Sequence, residues 1–181
     1  MSMQTEATIA DLHDIEGKAE IVNGAVVAMS PTGIFPSRAS SKIWLSLYSY
    51  ERRVGDGIAI GDNAGFTVNL PHRKSFSPDA AFAQGEPGSM QFHDGAPTFA
   101  AEVRSQGDYG PQAEQEIAQK RRDYFAAGTL VVWDVDLLSD DVVRVYRTSA
   151  PEQPTLYRRG ADAEAEPAVP GWTMAVDDLF V

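Results

Sequence analysis

The stretch Ser77-Pro78-Asp79-Ala80-Ala81-Phe82, followed by Phe99-Ala100-Ala101-Glu102-Val103-Arg104, decides how this chain is read. Each segment sets one carboxylate in a short run of small and apolar residues. Ala80 to Ala101, which separate Asp79 from Glu102, suffice for one strand, a loop and most of a second strand. Two adjacent strands would aim both carboxylates at one point, an arrangement that suits a hard divalent cation. Taken singly, each residue has a plainer reading. Asp79 after Pro78 also fits a turn or an edge position. Glu102 lies in a run that reads as buried, where an unpaired carboxylate is costly, so it either meets a cation or sits at an exposed strand end. A salt-bridged structural pair is the alternative to a metal site.

Around these segments the periodicities predict an α/β chain. A short helix is expected over 9–16, then a β-hairpin over 19–29 about Asn23-Gly24, a strong two-residue turn signal. Apolar spacing predicts a helix over 37–54, closed by Gly55. Strands follow at 58–60, 65–70, 79–83 and 98–103, with a polar turn at 71–74 and a loop at 84–97 that contains His93. A helix over 112–127 has Pro111 before it, acidic residues in its early turns and Gly128 after it. The apolar run 130–135 reads as a central strand, with an antiparallel neighbour at 142–147 and a further strand at 155–159. Residues 161–170 read as an acidic loop, and 176–180 as a short terminal helix. The sum is one domain over 1–181, built around one mixed sheet.

Composition narrows the classes. At 43% hydrophobic and 23% charged, the chain reads as a soluble globular protein, with no apolar run near the roughly 18 residues of a membrane span. Met1 to Asp11 does not read as a secretory signal, and the absence of cysteine removes disulfides and thiolate zinc sites. Cytoplasm is the expected compartment. A net charge of −11 opposes a protein that coats nucleic acid electrostatically, although a metal can neutralise carboxylates locally. The basic clusters Arg52-Arg53, Arg73-Lys74, Lys120-Arg121-Arg122 and Arg158-Arg159 read mostly as solvated surface. His13, His72 and His93 fall in separate segments without ligand spacing.

The helix after Glu102 offers a third group. Glu116, Lys120 and Tyr124 share one face by their spacing of four, while Arg121 and Arg122 turn away. Two readings stand: a Glu116–Lys120 pair on solvent, or Lys120 reaching back to the carboxylates to stabilise charge or orient a water. Ser105-Gln106-Gly107-Asp108 reads as a plain turn, with an indirect contact of Asp108 to a metal as the sharper possibility.

In their order and spacing, Pro78-Asp79, Glu102-Val103-Arg104-Ser105, Lys120 with Tyr124-Phe125-Ala126-Ala127-Gly128, and Val131-Val132-Trp133-Asp134-Val135-Asp136 resemble the PD-(D/E)XK nuclease superfamily. More narrowly, they resemble its Uma-type branch of restriction-endonuclease-related proteins. Glu20-Ile21-Val22-Asn23-Gly24, Met29-Ser30-Pro31, Pro170-Gly171-Trp172 and Asp178-Leu179-Phe180 fit the same pattern, so nearly the whole chain is covered. The resemblance implies a restriction-endonuclease-like fold, a central mixed β-sheet flanked by α-helices. It further implies Asp79 and Glu102 as ligands of Mg²⁺ or Mn²⁺, the backbone carbonyl of Val103 as a contributor, and Glu20 as a further acidic group. The implied reaction is hydrolysis of DNA phosphodiester bonds by a metal-activated water. A homodimer follows by analogy, because two related sites conveniently cut two strands.

Two departures from the family pattern bear on this. The superfamily's third motif position usually holds Lys, and here it is Arg104, which stays charged and is a poor general base. Lys120, from the following helix, stands where this branch commonly supplies the lysine, with Arg104 as a charge-stabilising helper. The early helix carries Ser37-Arg38-Ala39 where family members often have a His near its start. Arg104 and the acidic surface motivate the rival reading, a catalytically inactive nuclease fold that serves as a dimeric scaffold or accessory protein.

Overall fold

The computed structural model describes residues 6–86 and 88–180. Residues 1–5, which belong to the stretch 1–11 read for targeting, lie outside the described residues, as do position 87 of the 84–97 loop and position 181. In chain order the elements are α1 (Ile9–His13), β1 (Ala19–Val22), β2 (Ala25–Ala28), α2 (Ile34–Val54), β3 (Ile58–Ile60), β4 (Phe66–Thr67), β5 (Ser75–Phe76) and β6 (Ala80–Ala83). There follow β7 (His93–Asp94), β8 (Phe99–Val103), α3 (Pro111–Ala126), β9 (Val131–Val135), β10 (Val143–Arg147), β11 (Ala150–Tyr157), β12 (Asp162–Glu164) and β13 (Thr173–Ala175). A 3₁₀ turn over Val176–Leu179 comes last.

Six strands make the central sheet in the order β11-β10-β9-β8-β6-β3. Only β8 and β9 are parallel; the other neighbours run antiparallel. A parallel pair needs a crossover, and α3 supplies it. The hairpin forms where Asn23 and Gly24 both take positive φ, 51° and 73°, which a type I′ turn requires. Helix α2 ends at Gly55, whose φ of 73° provides the left-handed cap.

Alternation along β8 divides the molecule into two packed faces. Phe99, Ala101 and Val103 join Ala39, Ile43 and Leu47 of α2, together with Trp133 and Trp172, in one core. Ala100 points the other way and joins Phe66, Phe76, Ala81, Val132 and Tyr124 of α3. By the same alternation Glu102 lies on the α3 face, and so does Asp79, two residues before Ala81.

Several expectations change: the first helix ends at His13, the 84–97 loop contains β7, and the strand foreseen over 155–159 runs over Ala150–Tyr157. The strand foreseen over 65–70 is limited to Phe66–Thr67, and beyond it the chain folds back, the Val68 and Leu70 N–H groups donating to the Lys74 and Arg73 carbonyls at 2.9 and 3.1 Å. The acidic loop foreseen over 161–170 instead contains β12, paired with β13, and its Ala163, Ala165 and Val169 are fully buried. Small residues there allow close approach to the indoles, and the Glu164 carbonyl accepts the Trp133 Nε1–H at 3.0 Å. Finally, Arg73 and Arg121 are buried rather than solvated, Arg121 lying 3.7 Å over the Tyr146 ring.

The C-terminal segment closes the α2-side core through Trp172, whose ring lies 4.9 Å from Trp133 and 5.6 Å from Phe99. Trp172→Ala is expected to cost about 3–5 kcal/mol in urea unfolding. Leu138→Ala, at a residue 83% exposed, is expected to stay within about 0.5 kcal/mol.

Candidate functional site

The register of β6 and β8 positions the first two groups. Ala80 pairs with Ala101, so one residue further along Asp79 stands across from Glu102. Like charges set opposite each other on neighbouring strands repel, with Cβ atoms about 4.5–5.5 Å apart. The surroundings show how that repulsion is met. Asp79 Oδ2 accepts the Val103 N–H at 2.7 Å, and Oδ1 pairs with Lys18 Nζ at 2.7 Å. Glu102 Oε1 accepts the Tyr124 hydroxyl at 2.6 Å and lies 2.9 Å from Lys120 Nζ.

Helix α3 delivers Lys120 and Tyr124 together because they are one turn apart on its sheet-facing side. Lys120 Nζ also lies 3.0 Å from Glu20 Oε1, so the ammonium ties β1 to β8. Of the two readings of Lys120, the structure shows the one that reaches back: Glu116 instead accepts a bond from Gln112 at 2.9 Å. Glu20 is itself fixed, accepting the Ser77 N–H at 2.8 Å and Arg73 Nη1 at 2.6 Å. Arg73 continues to Asp123 at 2.8 Å, and Asp123 meets His72 at 2.7 Å. Arg73 lies 4.8 Å over Phe76, which stacks on Tyr124 at 4.0 Å.

These contacts set the protonation states. Burial pushes the Glu20 carboxyl up, but Lys120, Arg73 and the Ser77 amide outweigh it and hold the group below the usual carboxylate range. For Glu102 burial prevails: despite Lys120, the further repulsion of Asp79 and Glu20 leaves its carboxyl above the usual range. Lys120 would be pushed down by burial, yet Glu102 and Glu20 hold it above a normal lysine. It is therefore an ammonium at working pH, suited to donate and to stabilise charge rather than to accept a proton. Side-chain exposure separates the carboxylates by role. Glu20 is 3% exposed, whereas Asp79 and Glu102 are 21% and 25% exposed and within reach of a ligand.

Asp79, Glu102, Lys120 and Glu20 thus meet in one place. Arg104 is turned elsewhere: its guanidinium pairs with Asp134 through Nε and Nη2, both at 2.7 Å, and with Glu114 through Nη1 and Nη2. It clamps β8 to β9 and to the first turn of α3. Asp108 makes the plain turn, accepting the Ser105 N–H at 2.6 Å and its hydroxyl at 2.9 Å. Lys18, Asp62, Arg73 and Asp123 escaped the sequence reading. Lys18 was within reach of it, because the alternation that places Glu20 inward places Lys18 on the same face two residues earlier.

Asp79 and Glu102 are the oxygen donors able to hold a metal, with the backbone of Val103 beside them. Among the described residues no three His, Cys, Asp or Glu side chains form a metal-binding group. That donor chemistry suits Mg²⁺, which keeps several waters and takes one or two carboxylates, better than ions that need a full protein cage. The charge count agrees in sign. Across the connected cluster of described residues, the carboxylates Glu20, Asp62, Asp79, Glu102 and Asp123 outnumber the lysine and arginine cations Lys18, Arg73 and Lys120 by two.

The opposite shifts of Glu20 and Glu102 predict opposite effects on stability. A carboxyl held low stabilises the fold above its unfolded value of about 4.3 and loses that contribution as pH falls. Glu20→Gln is accordingly expected to cost about 3 kcal/mol at pH 7, through the half-paired Arg73 it leaves buried. A carboxyl held high favours the fold at low pH and weighs against it as pH rises past the unfolded value. Glu102→Gln is therefore expected to raise the melting temperature by about 2–4 °C at pH 7 and to leave it unchanged near pH 3. Calorimetric melting at both pH values checks the pair.

A family model described as "Uma2: Putative restriction endonuclease" matches residues 9–177. No curated protein matches the chain. Among solved structures, the chain is similar to "a putative nuclease belonging to DUF820" from Anabaena variabilis. The TM-score is 0.74 at 17% identity, covering 96% of this chain and 97% of that one. At that identity the likeness speaks for the fold, a mixed sheet with flanking helices.

Proposed function

The chain belongs to the Uma2 family, and from that premise we propose that it is a Mg²⁺- or Mn²⁺-dependent endonuclease hydrolysing phosphodiester bonds in DNA. The observation that carries the reading is the placement of Asp79 opposite Glu102 with the Lys120 ammonium on Glu102. Asp79 and Glu102 would hold the ion, with the Val103 carbonyl as the backbone donor. A bound ion would supply positive charge beside the phosphate and acidify a coordinated water.

The chain's own residues do the rest. The Val103 N–H fixes the carboxylate plane of Asp79, and Tyr124 fixes Glu102. Lys120, held protonated between Glu102 and Glu20, presents a donor to a phosphate oxygen or a water, where charge grows in the transition state. Glu20 is a positioning residue, since it is buried and acts through Lys120. Arg104 is another, because its clamp on Glu114 fixes the start of the helix that carries Lys120. Local acidity also explains how a chain of net charge −11 could work on a polyanion: the cation, rather than the surface, meets the phosphate. We place it in the cytoplasm as a homodimer. No described helix is long and apolar enough to cross a membrane.

Nicking of supercoiled plasmid in millimolar Mn²⁺ or Mg²⁺ tests the reading. Asp79→Asn, Glu102→Gln and Lys120→Met are each expected to slow nicking by about 10²–10⁴-fold. A wild-type protein that nicks no DNA but remains folded would favour the scaffold reading instead. Activity untouched by Lys120→Met would remove Lys120 from the mechanism.

A further inference from the structure

One oxygen of Asp79, a proposed metal ligand, is engaged by a cation of the chain itself. Lys18 Nζ lies 2.7 Å from Asp79 Oδ1 and also 2.7 Å from Asp62 Oδ1. The other Asp79 oxygen accepts the Val103 N–H, so a divalent ion approaching Asp79 meets one oxygen already hydrogen-bonded and the other already paired with an ammonium. Two positive charges cannot share one carboxylate oxygen at contact distance without strong repulsion.

The two partners of Lys18 differ in setting. Lys18 is 15% exposed and Asp79 21%, whereas Asp62, just beyond β3, is 48% exposed. A lysine ammonium on a four-carbon stem turns easily, and its three donors do not demand one fixed geometry. Asp62 can therefore retain the ammonium after Asp79 has released it, without leaving Lys18 unpaired.

We propose that Lys18 is a built-in competitor for the metal site, setting its affinity by giving up Asp79 and retaining Asp62 when a divalent ion binds. This rests on Asp79 and Glu102 being the ligands. Lys18 and Asp62 then act as affinity-determining residues that touch neither the scissile bond nor the attacking water.

Calorimetric titration of Mn²⁺ into the full chain at fixed ionic strength reads this directly, without reference to activity. Lys18→Met, which keeps the length of the stem, is expected to bind Mn²⁺ about tenfold more tightly than wild type. Asp62→Asn is expected to bind it more weakly, because Lys18 then has only Asp79. In the Lys18→Met background the Asp62→Asn change is expected to lose most of its effect, the coupling that a double-mutant cycle isolates. Wild type that binds Mn²⁺ while Lys18→Met binds equally or more weakly would overturn the competitor role and leave the ligand assignment standing. Should Lys18→Met fail to fold, an Asp62→Asn protein that binds as tightly as wild type or tighter would overturn it equally. If neither wild type nor any variant binds Mn²⁺ at millimolar concentration, the ligand assignment fails and the competitor role falls with it.

Discussion

Asp79 and Glu102 face each other across neighbouring antiparallel strands, and the electrostatic cost of that pairing shapes what surrounds it. Each carboxylate has its own ammonium, Lys18 on one and Lys120 on the other. Each also has a neutral donor, the Val103 amide and the Tyr124 hydroxyl respectively. The elements that bring these groups are the hairpin, the β8 strand end and the crossover helix. Glu102 nevertheless stays above the ordinary carboxylate range, so the compensation is incomplete. Incomplete compensation in a solvent-reachable carboxylate pair supports the proposal that the pair is kept for a ligand.

A gradient of burial runs through the cluster. Glu20, Arg73 and Asp123 form its inner part, fully paired and nearly without solvent, and they hold Lys120 from behind. Asp79, Glu102 and Lys18 form its outer part, where exchange with solvent ions is feasible. Arg104 shows how the position commonly filled by lysine has been put to another use. Its planar fork satisfies Asp134 and Glu114 at once, a geometry that a lysine would not reproduce. In the proposed site the positive charge is then supplied from α3, whose first turn that same arginine anchors.

Much of this was legible because it is local. The Asn23-Gly24 turn, the Gly55 cap, the crossover helix and the apolar run of β9 each announce themselves within one continuous stretch of sequence. The carboxylates stood out for a similar reason, as charges inside apolar runs. What escaped depends on contacts distant in sequence. Lys18 reaches Asp62 across 44 residues and Asp79 across 61, and Arg73 reaches Glu20 across 53. A basic residue in a polar stretch looks solvated until its partner is placed, which is why Arg73 and Arg121 read as surface. The 161–170 segment was misread because small and acidic residues resemble a loop in composition, while Ala163 and Ala165 are small to fit against Trp133 and Trp172.

The central claim is that Asp79 and Glu102 are the two side-chain ligands of one hard cation. Anomalous diffraction from crystals soaked in Mn²⁺ tests it most directly. The account predicts one strong peak between the two carboxylates, with oxygens of both at roughly 2.0–2.6 Å and Lys120 still on Glu20. Crystals holding millimolar Mn²⁺ with no peak there, and with Lys18 and Lys120 still paired to Asp79 and Glu102, would contradict it.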